Sequence, residues 1–252
     1  MGSTDMTLTG RGIIVTGAAT GIGGATAREV ARRGARVAAF DVNDVAGAGV
    51  VEAITEEGGT ARYWHVDVSV EAEVAAAVTE AIAWLGGDVD VLLHLAGVLQ
   101  GARVDIADFP EATWDTVLDI NLKGSFLVSK HVAARMQQRG GGVIVLTSSG
   151  AGVTGGSSSY AYGASKGGVH GLAMVLRGYL TERGVRVNDV CPGNVTTPLK
   201  LAAIEQIYQR TGDRAAYEAD LRMLVAPEGI AKVMAWLASD DAADVTGTIF
   251  TR

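Results

Sequence analysis

The stretch Arg11-Gly12-Ile13-Ile14-Val15-Thr16-Gly17-Ala18-Ala19-Thr20-Gly21-Ile22-Gly23 decides the fold of this chain. Its opening, residues 11–15, reads as a buried β-branched strand, and residues 20–33 carry apolar positions at helical period. Glycines in the join allow a tight turn and bring backbone amides close to the helix N-terminus, where negative charge is favoured. A pyrophosphate fits that description, which makes Gly17, Thr20, Gly21, Ile22 and Gly23 candidate cofactor-binding residues. Stripped of its flanks, the same pattern is no more than a tight turn. The strand before it and the helix after it favour the cradle.

Outward from that unit the alternation repeats. Strands are expected at 35–40, 61–66, 89–93, 143–147, 185–190 and 248–250. Between them run a helix capped by Asn43 or Asp44 and reaching residue 57, a helix over 70–85, and a long helix after Pro110 to residue 139. Further helices are expected over 160–183, 199–211, 214–224 and 227–238. This order predicts an α/β fold, a doubly wound, mostly parallel sheet in a Rossmann-like three-layer sandwich. Residues 1–252 read as a single domain, with Met1 to Asp5 set aside from the fold argument.

Composition narrows the function. With 21 Lys and Arg against 28 Asp and Glu and no basic block, no nucleic-acid partner is expected. The lone cysteine, Cys191, rules out an intrachain disulfide. No signal-peptide pattern or bilayer-length apolar run is visible, so no membrane partner is expected and the location is expected to be cytoplasmic. Four histidines and one cysteine lie scattered, and no metal site is expected.

Two further segments carry chemistry. Asp41, after the second strand, can accept hydrogen bonds from both adenosine ribose hydroxyls and would repel the 2'-phosphate of NADP; read blandly, it is a solvated loop carboxylate. Asp67, with Val68 beside it, either meets the adenine amino group or caps the helix entered at Ser69 and Val70. Gly97 combines a turn role with room for a cofactor.

The run Val145-Leu146-Thr147-Ser148-Ser149 leads through a glycine- and serine-rich loop to Tyr160-Ala161-Tyr162-Gly163-Ala164-Ser165-Lys166. Tyr162 and Lys166 at i,i+4 share a helix face, and a lysine cation is expected to lower the tyrosine's proton affinity toward a useful range. Ser149 is favoured over Ser148 to hold the substrate oxygen beside Tyr162. Tyr160 has only Ala164 at the same interval. The bland reading of the whole segment is a serine-rich loop, a packed aromatic and a snorkelling lysine.

Taken together these residues resemble the short-chain dehydrogenase/reductase family, with its TGxxxGxG and YxxxK motifs, over nearly the whole chain. The resemblance implies an active-site Asn121 supporting a water-linked proton relay, catalytic Ser149, Tyr162 and Lys166, an adenine-side Asp67, and a Lys166 contact to the nicotinamide ribose. It also implies cofactor contacts from the PGxVxT segment, by Pro192, Gly193, Val195 and Thr197, the last two near the carboxamide. Where the family has Asn-Asn-Ala-Gly, this chain has His94-Leu95-Ala96-Gly97, which puts strand-to-strand bonding or the cofactor floor in doubt. His94, in an apolar strand, is expected to be structural.

The expected activity is hydride transfer between NAD(H) and a secondary alcohol or ketone, with Tyr162 as acid-base. Two rivals stand beside it: a nicotinamide-binding protein with little turnover, and an epimerase or dehydratase using bound NAD. Residues 198–224, with Leu199, Leu201, Ile204, Ile207 and Tyr208 at helical spacing, are expected either to cover a moderately hydrophobic small-molecule substrate or to form an ordinary surface helix. The resemblance also implies a homotetramer or a homodimer, built through the helices after Pro110 and around Tyr162.

Overall fold

All five residues of β1 (Gly12–Thr16) are buried, as a strand covered on both faces requires. Six more strands flank it: β2 (Arg36–Asp41), β3 (Thr60–His65), β4 (Val91–His94), β5 (Gly142–Thr147), β6 (Val185–Cys191) and β7 (Gly247–Phe250). In the computed structural model, which describes residues 7–251, they form one sheet in the order β3-β2-β1-β4-β5-β6-β7, and every pairing is parallel. The Met1 to Asp5 stretch and residue 252 of the expected domain lie outside the described residues.

Because side chains alternate along a strand, each strand feeds two cores. Ile14, Leu92, Ile144 and Leu146 face one side, where α3 (Glu71–Leu85), α5 (Gly124–Arg139) and α7 (Tyr160–Leu180) cover them. Ile13, Val15, Leu93 and Val145 face the other, under α1 (Gly21–Arg32), α2 (Asp44–Glu56) and α10 (Glu228–Leu237). The three-layer, doubly wound expectation is met. Strand order reverses between β1 and β4, the place where open parallel sheets gather ligands at their C-terminal edge.

Several boundaries differ from the sequence reading. The expected continuous helix to residue 139 is α4 (Glu111–Leu118), a π-helical turn over Asp119–Lys123, and α5. Ser125 Oγ donates to the Asn121 carbonyl at 2.5 Å, and the wider turn is a local rearrangement that hydrophobic period does not reveal. The expected helix to 183 ends at Leu180 and tightens into a 3₁₀ turn, Thr181–Arg183. Asn43, not Asp44, caps α2, accepting from the Ala46 amide at 3.1 Å. The single turn α6 (Gly150–Val153) and the 3₁₀ turns Ile106–Asp108 and Asp240–Ala242 were not expected, being too short to show a period.

After β6 the chain leaves for two helices, α8 (Pro198–Thr211) and α9 (Arg214–Arg222). It returns beside its point of departure, because Thr196 N donates to the Val225 carbonyl at 2.8 Å and Val225 N to the Asn194 carbonyl at 2.9 Å. No helix among the described residues is long and apolar enough to cross a membrane.

Candidate active site

A cavity of about 750 Å³ opens at the C-terminal edge of the sheet, across the β1/β4 reversal. All fifteen residues expected to touch a cofactor line it. Gly17, Thr20, Gly21, Ile22 and Gly23 form its floor at the start of α1. Thr20, the N-cap of that helix, makes no side-chain capping bond.

Two glycines show why this turn admits no side chain. A Cβ at Gly23 would lie 1.9 Å from the Gly17 carbonyl oxygen, and one at Gly17, where φ is +65°, would lie 2.7 Å from the Ala96 nitrogen. The turn is therefore packed backbone against backbone, with the helix's first amides left toward the cavity. Such a cradle fits a dinucleotide pyrophosphate by both space and polarity.

Asp41 ends β2 at the cavity rim. Its Oδ2 accepts from the Ala19 amide and its Oδ1 from the Asn43 amide, each at 3.0 Å, so the carboxylate is aimed rather than free in solvent. Asp67 and Val68 line the same end. The reading of Asp67 as the cap of the following helix is corrected: Val70 is the N-cap, and Asp67 Oδ1 instead closes a local turn by accepting from Ser69 N at 2.9 Å and Ser69 Oγ at 2.7 Å.

Toward the other end, Ser149, Tyr162, Lys166 and Gly97 converge with Pro192, Gly193, Val195 and Thr197. Ser159 caps α7 through the Tyr162 amide at 3.3 Å, and the helical interval then brings Lys166 under the tyrosine ring, its Nζ 5.9 Å from the ring centre. Lys166 is buried and donates to the Thr147 carbonyl at 2.7 Å. Burial pushes its proton affinity down to about 8.

Tyr162 differs from expectation in one respect. Burial raises its pKa, because a phenolate loses its hydration there, while a hydrogen bond with the Ser149 side chain opposes the rise. The lowering influence at this phenol is therefore the serine rather than the ammonium. Ser149 also accepts from the Ala151 amide at 3.2 Å. Ser148 also borders the cavity, but its hydroxyl is engaged elsewhere, donating to Asp189 Oδ2 at 2.9 Å. Tyr160 is 47% exposed and packs edge-on against Phe109, outside this group.

Asn121 does not line the cavity. Its fully buried carboxamide grips Val98, accepting from the amide at 2.8 Å and donating to the carbonyl at 2.9 Å, and it also donates to Ser165 Oγ at 2.9 Å. The side chain thus fixes the loop after β4 and the turn of α7 that carries Lys166.

His94 is buried in β4 and links it to β1 through Nδ1 and Thr16 Oγ1, 2.9 Å apart. Thr16 Oγ1 already accepts from the amides of Leu95 and Ala96, so its own hydrogen goes to the imidazole. The residues standing in place of the family's two amides therefore still tie the strands together. Burial drives the His94 pKa down to about 3, which keeps the ring neutral.

Of the five apolar residues expected to face the site from 198–224, Leu199, Ile204 and Ile207 line the cavity, joined by Ala203. Leu201 points outward at 40% exposure, and Tyr208 packs at a tilt against Tyr217 of α9 with ring centres 4.8 Å apart. Sequence reasoning missed the loop residues Val98, Leu99, Ser157 and Ser158, which border the same space and carry no periodic signal. It also missed Asp189, whose signal was available: a carboxylate inside the otherwise buried strand Val185–Cys191. Among the described residues no cluster of three His, Cys, Asp or Glu side chains is arranged to hold a metal.

Comparison with known proteins gives concordant relatives. The short chain dehydrogenase family model matches residues 11–207. The chain is 38% identical over 236 residues to the cis-4-hydroxycyclohexanecarboxylate dehydrogenase of Sinomonas cyclohexanicum, covering 94% of this chain and 92% of that protein. It is 37% identical to the D-threitol dehydrogenase of Mycolicibacterium smegmatis, covering 96% and 91%. The crystal structure of a levodione reductase superimposes with a TM-score of 0.90 at 31% identity, over 96% of each chain.

Proposed function

This chain belongs to the short chain dehydrogenase family of oxidoreductases, and from that premise we propose that it oxidises a secondary alcohol, or reduces the matching ketone, with NAD(H). The observation that carries the reading is the convergence of Ser149, Tyr162 and Lys166 on the cavity whose far end is the glycine turn. A nicotinamide, when bound, supplies the acceptor or donor of hydride. Gly17 to Gly23 would hold the pyrophosphate, Asp41 the adenosine ribose, and Val195 and Thr197 the nicotinamide end. Asp41 favours NAD, because a 2'-phosphate would meet its carboxylate.

In reduction the Tyr162 phenol donates its proton to the carbonyl oxygen, and burial suits it to that role by keeping it protonated. In oxidation the same oxygen must accept the alcohol proton, so it must pass through the phenolate. Ser149 supports that state by hydrogen bonding and orients the substrate oxygen. Lys166, still largely an ammonium at neutral pH, would hold the nicotinamide ribose when the cofactor is bound.

The apolar face Leu199, Ala203, Ile204 and Ile207 favours a compact, moderately hydrophobic substrate, and α8 and α9 would cover it and exclude water. A relative named for a hydroxycyclohexanecarboxylate is in keeping with a ring alcohol. The same reading includes a cytoplasmic location and a homotetramer or homodimer.

The test is purified protein with NAD and a panel of cyclic and linear secondary alcohols, followed by NADH absorbance. Turnover is expected with at least one ring alcohol, and Tyr162→Phe should lower it by about a hundredfold or more while NAD still binds. NAD binding without turnover across the panel would favour the low-activity rival. Altered substrate with no net NADH would favour the epimerase or dehydratase.

A further inference from the structure

Asp189 is fully buried in β6, yet it is not isolated. Its Oδ2 accepts from Ser148 Oγ at 2.9 Å and from His170 Nδ1 at 3.0 Å. Its Oδ1 accepts from Thr248 Oγ1 at 2.9 Å and from the Arg177 guanidinium at 3.4 Å. Four donors fill the lone pairs of one carboxylate, and they come from the end of β5, from α7 and from β7.

Two of these contacts bear on the site. Lys166, His170 and Arg177 lie at i, i+4 and i+11, a single stripe of α7 that also includes Tyr162 one turn earlier. By holding His170 and Arg177, with Arg177 Nε also donating to the Val187 carbonyl at 3.0 Å, β6 fixes the rotation of that stripe about the helix axis. By holding Ser148, it settles which of two adjacent hydroxyls is left to meet Tyr162. Buried ionic contacts add little net stability compared with apolar packing, and their best-attested use is choosing one arrangement among several.

We propose that Asp189 is a positioning residue for the hydride-transfer site, engaging the Ser148 hydroxyl so that Ser149 is the serine that meets Tyr162, and locking α7 so that Tyr162 and Lys166 face the same point. This deepens the functional reading above and rests on it. Asp189 touches none of the reacting groups. It acts through Ser148 on one side and through His170 and Arg177 on the other.

The experiment compares Asp189→Asn and His170→Ala with the unaltered full chain. An amide at 189 keeps one acceptor and sets a donor against donors, while His170→Ala removes one of the contacts that hold α7, at a side chain only partly buried. It therefore keeps the test open even where Asp189→Asn fails to fold. In each folded variant, kcat is expected to fall by about tenfold or more with KM for NAD changed by a much smaller factor, because geometry at the reacting oxygen is lost while the glycine turn and Asp41 still hold the far end of the cofactor.

A second readout does not need turnover. The ultraviolet phenolate titration of Tyr162, isolated by subtracting Tyr162→Phe, should shift to higher pH by about half a unit or more once Ser149 no longer holds the phenol. Folded variants with unaltered kcat and an unmoved titration would overturn the proposal, whatever happens to their Tm. If the unaltered chain turns over nothing on the alcohol panel but the titration moves as described, the functional reading fails and the positioning of Tyr162 by Asp189 stands.

Discussion

At Asp41 the sequence sets only the charge, and two backbone amides set its direction. Charge-assisted bonds to a ribose diol are each worth about 1.5–3 kcal/mol, so Asp41→Ala should lower kcat/KM for NAD by about tenfold or more and raise the relative use of NADP. Unchanged relative kinetics with the two cofactors would reject the ribose assignment. His94 makes a different prediction, about stability. Its folded pKa of about 3 lies below the usual 6.5, so the unfolded chain takes up a proton that the native chain refuses. This part of the stability is whole above pH 6.5 and is lost as pH falls from 6.5 toward 3, by about 1.4 kcal/mol per unit. His94→Asn, whose carbonyl can still accept from Thr16, should remove that slope from the curve of Tm against pH. A variant with the original slope would show that the acid sensitivity arises elsewhere.

Among the elements, α8 and α9 carry the specificity argument. They leave and rejoin the body at one pair of hydrogen bonds, and a single face of α8 meets the cavity. Ile207 is only half-buried, so its truncation disturbs the fold less than that of the buried Ile204. Ile207→Ala should raise KM for the preferred alcohol several-fold, through loss of about 1 kcal/mol of apolar contact, and leave KM for NAD nearly unaltered. An equal rise in both constants would move α8 away from the substrate. The π-helical turn between α4 and α5 shows the limit of periodicity. Apolar spacing marks the helix well enough, but one widened turn, with Asn121 buried inside it, leaves no separable trace in that spacing.

On the scale of the whole molecule, the helices left uncovered point outward with apolar side chains. Phe126 on α5 is 48% exposed, and Met174, Val175 and Tyr179 on α7 are 56%, 55% and 74% exposed. Surface of this kind in an isolated chain is what a subunit interface would cover. The solution mass is therefore expected to be two or four times 25.9 kDa, and Phe126→Glu should shift it toward the single chain. A lone 25.9 kDa species at working concentration would defeat the expectation of a homo-oligomer.

The sequence by itself determined the layered parallel fold, the glycine turn, and the shared helix face of Tyr162 and Lys166. Each of these is written in short-range spacing: glycines where a Cβ has no room, apolar residues at strand or helix period, two functional groups one helical turn apart. Only the tertiary structure decided which serine meets the tyrosine, that Asn121 clamps Val98 from behind the cavity wall, and that Tyr162 is raised rather than lowered in proton affinity. Those outcomes depend on burial and on partners far away in the chain, as Ser148 is held by Asp189 from the neighbouring strand. Local spacing carries no information about either, because desolvation and long-range hydrogen bonds exist only once the sheet has closed over them.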